Sequence, residues 1–137
     1  MTGTDAEAEV RSAVADFLAA FASGPGVAER MAALRELLDP RAVVVRAWSG
    51  GVDAWDVEEF VAPREALLAS GQLSDFREWP EAGRVDVHGD IGAWWGTYAK
   101  TGSLLGEDAG GRGTKGIHLV RRDGRWRITS VVWEDED

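Results

Sequence analysis

The chain contains no cysteine. Disulfides and thiolate chemistry are therefore excluded, and the redox compartment is left open. Histidine is almost as scarce: His88 and His118 are the only two. A histidine-rich metal centre is not expected, and no motif asks for a cofactor. Positive charge is in deficit, with 15 Lys and Arg against 24 Asp and Glu, a net charge of −9. Such a chain repels phosphate backbones unless a basic stripe overrides the average, and "VRRDGRWR" (120–127) is the one short basic run. Nucleic acid is not an expected partner. No apolar run approaches the ~20 residues of a membrane helix. The acidic helices lack the Lys- and Arg-rich faces of surface-bound amphipathic helices, so no membrane contact is expected. The start, "MTGTDAEAEV", has no basic segment followed by an apolar one. No signal peptide is visible, and a cytoplasmic location is the default. "GEDAGGRG" (106–113) is glycine-rich but lacks the Gly-Lys-Ser/Thr ending and the following helix of a phosphate loop. It reads as a mobile loop.

What is present suits one domain spanning 1–137. The length is that of an ordinary domain, and 45% hydrophobic with 28% charged residues is normal for a globular chain. Such a chain buries roughly two thirds of its unfolded surface. "TDAEAEVRSAVADFLAAFASGPG" predicts a helix: Thr4 and Glu7 fit a capping box, Val10, Val14, Phe17, Leu18 and Phe21 share one face, and Gly24-Pro25 stops it. A second helix aligns Val27, Met31, Leu34 and Leu38 and is closed by Pro40. A strand is expected at about 42–48, and "VDAWD" adds a short one. The third helix, "VEEFVAPREALLASG", is expected to carry Pro63 in its first turn, with Phe60 and Val61 before it and Gly71 ending it.

After residue 72 the period changes to two. A long strand bends near Pro80 and Gly83 and turns through His88-Gly89-Asp90 into "DIGAWWGTYAKTG". "TKGIHLVRR" and "RWRITSVVWE" are joined by Asp123-Gly124, a type I′ pair. Helices grouped early and strands late predict an α+β fold.

The segments "FVAPREALLASG", "GDIGAWWGTYAKTG", "GRGTKGIHLV" and "DGRWRITSVVWED" resemble those of SnoaL-like domains, in the nuclear transport factor 2-like superfamily. The resemblance spans nearly the whole chain. It implies three N-terminal helices packed on a curved, mainly antiparallel sheet, a cone-shaped, cystatin-like roll. That superfamily holds isomerases, dehydratases, epoxide hydrolases, cyclases, ligand binders and structural dimers, so it does not select a function. Its catalytic members typically place an Asp, His or Tyr inside the cone, but no member's catalytic set maps here residue by residue.

Strand parity sorts the candidates, provided no bulge intervenes. Trp126 and Trp133 are seven positions apart, so a regular strand sends them to opposite faces. Trp95, Ile117, Leu119, Trp126 and Ile128 are assigned to the concave side, which turns polar at Thr97, Lys115, Ser130 and Glu134. Trp94, Tyr98, His118, Val131 and Trp133 are assigned to the outer face as a homodimer interface, where aromatics are enriched. Lys115 and Glu134 are the candidate catalytic groups, as an ion pair tuning each other's pKa or as an exposed cross-strand pair. Arg64 is a candidate anion anchor or a salt-bridge partner of Glu65 or Asp75. Trp48, Trp55, Phe76, Trp95 and Ser130 complete the expected ligand-binding set. Asp86 and His88 lack further ligands for a metal. The terminal "EDED" reads as a solvated tail, with Glu134 or Asp135 reaching back to the rim.

Two functions follow as expectations. One is a small-molecule binder with an apolar cavity between helices and sheet, of lyase or isomerase type if it is an enzyme. The other is a non-catalytic dimeric module whose cavity is plugged by Trp95, Trp126 and Phe76.

Overall fold

The computed structural model describes residues 3–136, with side chains from Asp5 onward, so the Thr4–Glu7 capping box lies outside the described residues. The elements run α1 (Gly3–Ala19), α2 (Val27–Leu37), β1 (Leu38–Trp48), β2 (Gly51–Trp55), α3 (Val57–Ala69), β3 (Leu73–His88), β4 (Ile91–Leu104), β5 (Glu107–Asp108), β6 (Gly111–Arg122) and β7 (Arg125–Asp135). The fold is α+β. The strands form one sheet in the order β2-β1-β7-β6-β4-β3, with β5 paired to β4. Only the β1–β7 pairing is parallel among the described strands.

The helices cover one face of the sheet. Val10, Val14, Phe17, Leu18 and Phe21 are buried as their spacing requires, with Met31 and Leu34 of α2 beside them. Ser23 ties the end of this layer to β3: its amide donates to the Phe76 carbonyl (3.1 Å), and its hydroxyl accepts from the Phe76 amide (2.9 Å). Gly24 follows at φ 89°, a conformation that leaves glycine unstrained.

The prolines depart from expectation. Pro40 does not close α2, which ends at Leu37. It sits inside β1, where pairing to β7 is interrupted between Leu38 and Val43, so its missing N–H disturbs no ladder bond. Pro63 is not in the first turn of α3. That helix starts earlier because Asp56 caps it: Asp56 accepts from the Glu59 amide, and Glu59 accepts from the Asp56 amide. Phe60 and Val61 are therefore helical and buried. The "GEDAGGRG" segment is also more regular than a loop, since Glu107–Asp108 pairs back onto β4 and β6 begins at Gly111.

Two of the sheet's one-residue bulges set what faces the helices around Glu78 and Trp133. In β3 the register shifts between Pro80 and Ala82, so Glu81 is extra. The residues facing the helices change there from Gly83 and Val85 to Pro80 and Glu78. The bend predicted near Pro80 is this bulge. In β7 the register shifts opposite His118 and Leu119, leaving Thr129 extra between Ile128 and Ser130. Trp126 and Ile128 face the core before it, and Val131 and Trp133 after it. The two tryptophans thus share a face, because the odd spacing is cancelled by one unpaired residue.

Candidate functional site

At the open end of the cone a cavity of about 210 Å³ is lined by Phe21, Arg46, Phe60, Arg64, Glu78, Tyr98, Lys100, Lys115, Trp133 and Asp135. Each strand contributes by its register. Glu78 stands opposite Lys100 across β3 and β4. Lys115 stands opposite Trp133 across β6 and β7, which in turn stands beside Arg46 of β1. Gly113, opposite Tyr98, has no Cβ to collide with the phenol ring.

Lys115 is the one buried charged residue of the described core, 5% exposed. Among the described residues its ammonium has no carboxylate within ion-pair distance. It lies instead over aromatic rings, 4.3 Å from the Tyr98 centroid, 4.7 Å from Trp133 and 5.7 Å from Phe17. Such rings offset part of the lost hydration. Burial still dominates and brings its pKa down from 10.5 to about 8, against the opposing pull of Glu78 and Asp135. Glu78 moves the other way: burial pushes its carboxyl above the ordinary range, with Lys115 and Lys100 resisting.

Asp135 organises the rim. Tyr98 donates its hydroxyl to one Asp135 oxygen, Lys100 lies 3.5 Å from that same oxygen, and Arg46 reaches the other at 3.3 Å. Burial favours the protonated acid, but the Tyr98 hydrogen bond and the two cations outweigh it and hold Asp135 below the usual carboxylate range. Tyr98 is correspondingly pushed above its ordinary value, first by burial and then by Asp135. Arg64 projects from α3, its guanidinium 4.1 Å from the Phe60 centroid and 5.0 Å from Trp55. It donates to the Phe60 carbonyl (2.9 Å) and has no carboxylate within ion-pair distance among the described residues. Burial lowers its pKa. The Arg46 Nε is buried without a hydrogen-bond partner. The wall thus holds four basic side chains and two carboxyls.

The overall arrangement matches known structures. An NTF-2 like protein of unknown function from Silicibacter pomeroyi superposes with a TM-score of 0.70 at 21% identity, covering 99% of this chain and 100% of that one. A Nostoc punctiforme protein of unknown function with a cystatin-like fold gives 0.72 at 14%, with 99% and 94% covered. A type 2 hexachlorocyclohexane dehydrochlorinase gives 0.74 at 13%, with 98% and 87% covered. The chain has the nuclear transport factor 2-like fold. No protein-family model matches it, and no curated protein does.

Within this nuclear transport factor 2-like cone, only two of the residues expected in the pocket line the cavity: Arg64 and Lys115. Arg64 forms no salt bridge with Glu65, which pairs with Arg35 at 3.0 Å, nor with Asp75. Trp55 is half-buried behind the cavity, stacked on Trp133 at 5.8 Å. Phe76 is half-buried at the Ser23 clamp. Trp48 and Glu134 line a separate depression outside the rim. Glu134 is exposed and stands opposite Thr114, so it forms no pair with Lys115. Trp95 and Ser130 lie on the outer face. Trp95 is 53% exposed, and Ser130 is 3.1 Å from His118.

The residues expected on the outer face are also mostly placed elsewhere. Trp94, Tyr98, Val131 and Trp133 are buried beneath the helices, and only His118 is on the outer face. Trp126 is core, as expected, with its indole donating to Glu9 at 3.1 Å. Parity failed at the Thr129 bulge for β7. For β4 the failure was in reading Trp95, rather than Trp94, as the inward tryptophan. The glycines that make room for the Trp94 and Tyr98 rings were the missed signal: Gly83, opposite Gly96, where a Cβ would collide with the Trp94 ring, and Gly113, opposite Tyr98.

No described helix is long and apolar enough to cross a membrane. Among the described residues no cluster of three or more His, Asp or Glu could hold a metal.

Proposed function

We propose that the cone binds a small anionic organic molecule, about the size of one substituted ring, and that Lys115 and Glu78 exchange protons with it in lyase- or isomerase-type chemistry. The observation that carries this reading is the excess of cations over carboxyls in a partly open cavity, with aromatic rings in its wall, of a chain whose net charge is −9. Arg64 lines the cavity and has no carboxylate partner among the described residues, so a ligand's carboxylate would supply one. The cavity volume is below the roughly 300–1,000 Å³ of sites for drug-sized ligands, which favours a small occupant. An amine brought down and a carboxyl pushed up are the displacements that acid–base catalysis near neutrality needs. A dehydrochlorinase shares the fold, so the cone is compatible with an enzyme site.

Thermal unfolding with benzoate and with benzyl alcohol tests the reading. Benzoate at about 100 times its Kd should add about 2.7 kcal/mol, a rise in Tm of several degrees, and Arg64→Gln should remove most of it. Equal shifts with the two compounds, or none, would sink the anionic reading.

Self-association belongs to the same proposal, through different residues from those expected. Val43, Ile91, Trp95 and Val132 are large, apolar and exposed on the uncovered face of the sheet. A second copy of the chain would cover them. Trp95→Glu should turn a sizing-column dimer into a monomer. A wild-type chain that is monomeric at micromolar concentration would remove this part.

A further inference from the structure

We propose that Lys115 acts as a nucleophile, forming an imine with the carbonyl carbon of a small 2-oxo acid whose carboxylate lies on Arg64. The proposal rests on the reading of the cavity as a site for a small anion, and names its substrate class.

The chain has two lysines, Lys100 and Lys115, and both line this cavity. Their positions differ in the respect that matters for nucleophilicity. Lys100 is 3.5 Å from Asp135 and so has a carboxylate partner. Lys115 has aromatic rings around it and, among the described residues, no carboxylate within ion-pair distance. A desolvated lysine in an apolar setting is the form in which an amine attacks carbonyls. Its pKa of about 8 leaves roughly a tenth of the side chain as free amine at neutral pH. The carboxylate end follows from geometry. Arg64 and Lys115 flank one ring, with Arg64 Cζ 5.8 Å and Lys115 Nζ 4.7 Å from the Trp133 centroid. A short molecule with an anion at one end and an electrophilic carbon near it spans that arrangement across the indole face.

The chemistry balances without a further reactant. The ammonium of Lys115 gives one proton, relayed through a water molecule because the two groups are not in contact, to the ionised Glu78 carboxylate. The free amine attacks the carbonyl carbon, a C–N bond forms, and the carbonyl π pair moves onto oxygen. Transfer of a second proton from nitrogen to that oxygen gives the carbinolamine. Glu78 returns its proton to the hydroxyl as the C–O bond breaks and water leaves. The product is a protonated imine plus one water. No electrons are gained or lost overall. Glu78 has the displaced carboxyl that this shuttling needs.

Borohydride reduction of the intact chain incubated with benzoylformate tests the proposal. One adduct is expected, heavier by the mass of the oxo acid less one oxygen atom, and peptide mapping should place it on Lys115. Lys115→Met should give none while keeping its fold by circular dichroism. Arg64→Gln should cut trapping of benzoylformate at least tenfold but leave trapping of benzaldehyde, which has no carboxylate, within twofold. An adduct on Lys100 or on the terminal amine, or no adduct when benzoate still raises Tm, overturns the imine and leaves the anion site standing. If benzoate gives no shift but the Lys115 adduct forms, the anion reading fails and nucleophilic Lys115 survives without its substrate class.

Discussion

A chain lacking Val132 is expected not to fold, and a chain lacking Thr129 is expected to fold. Both deletions shorten β7 by one residue, and the difference lies in the bulge. Thr129 is the unpaired residue between Ile128 and Ser130. Without it, Ile128, Ser130 and Val131 keep their partners Leu119, His118 and Ile117 in an unbroken ladder. The loss is one 3.3 Å hydrogen bond to the His118 carbonyl, about 1 kcal/mol, together with the local twist that the bulge supplies. Removing Val132 has no such remedy. With the bulge kept, Trp133 and Asp135 swing to the outer face. With the bulge straightened, Val131 swings out and Ser130 swings in. A one-residue slip reverses every side chain beyond it. Losing a buried tryptophan's packing costs about 3–5 kcal/mol, a large part of the ~5–15 kcal/mol that holds a domain together. Soluble yield and circular dichroism of the two deletions check the contrast. Equal behaviour would mean that the bulge does not set the inward face.

Replacing Lys115 by methionine makes the protein more stable at neutral pH, by up to about 3 kcal/mol. The folded state holds this ammonium poorly, since burial brings its pKa from 10.5 to about 8. Below pH 8 the lysine is charged in both states, and the folded state carries the full penalty. Between about 8 and 10.5 the unfolded chain binds the extra proton, so stability rises with pH. Above 10.5 both states are neutral and the penalty is gone. The methionine variant, similar in length and apolar, lacks both the penalty and the rise. Tyr98 works in the opposite sense at the alkaline end, because it keeps its proton longer when folded. It is present in both proteins, so the wild-type minus variant difference isolates Lys115. Urea unfolding at pH 7 and pH 10 should show the gap between the two closing. A gap that stays constant, or a methionine variant weaker at pH 7, would show that the aromatic contacts outweigh burial. A gain in stability with loss of imine trapping is what a residue kept for function gives.

The elements were legible because their signals are local. Asp123 and Gly124 both have positive φ (54° and 74°), as an Asp-Gly hairpin turn requires, and this turn was readable from two letters. The buried faces of α1 and α2 were readable from spacing. The site was mostly not. Thr129 looks like any strand threonine, and nothing in "RWRITSVVWE" marks one residue as unpaired. Glu78 and Arg46 look like solvent-facing charges, because a polar residue on a strand ordinarily is one, and Asp135 reads, only together with Glu134, as a tail residue reaching back to the rim. Their inward direction depends on bulges and on which strands become neighbours, both of which are settled at long range. Lys115 was found because β6 itself is regular, so parity with Ile117 and Leu119 held. Arg64 was found from its helix alone.

The placing of β7 has a consequence for how the chain reaches this structure. β7 is the last strand in sequence, yet it lies between β1 and β6 and joins the two parts of the sheet. Until it is synthesised, β1–β2 and β3–β6 are separate hairpins with open edges. The contacts that close the cone link residues as far apart as Leu38 and Ile128, and long loop closures of this kind slow folding. Completion of the sheet therefore waits until β7 has been made, with two sticky edges exposed meanwhile. The strand that brings Trp133 and Asp135 to the cavity is thus also the one that commits the chain to its fold.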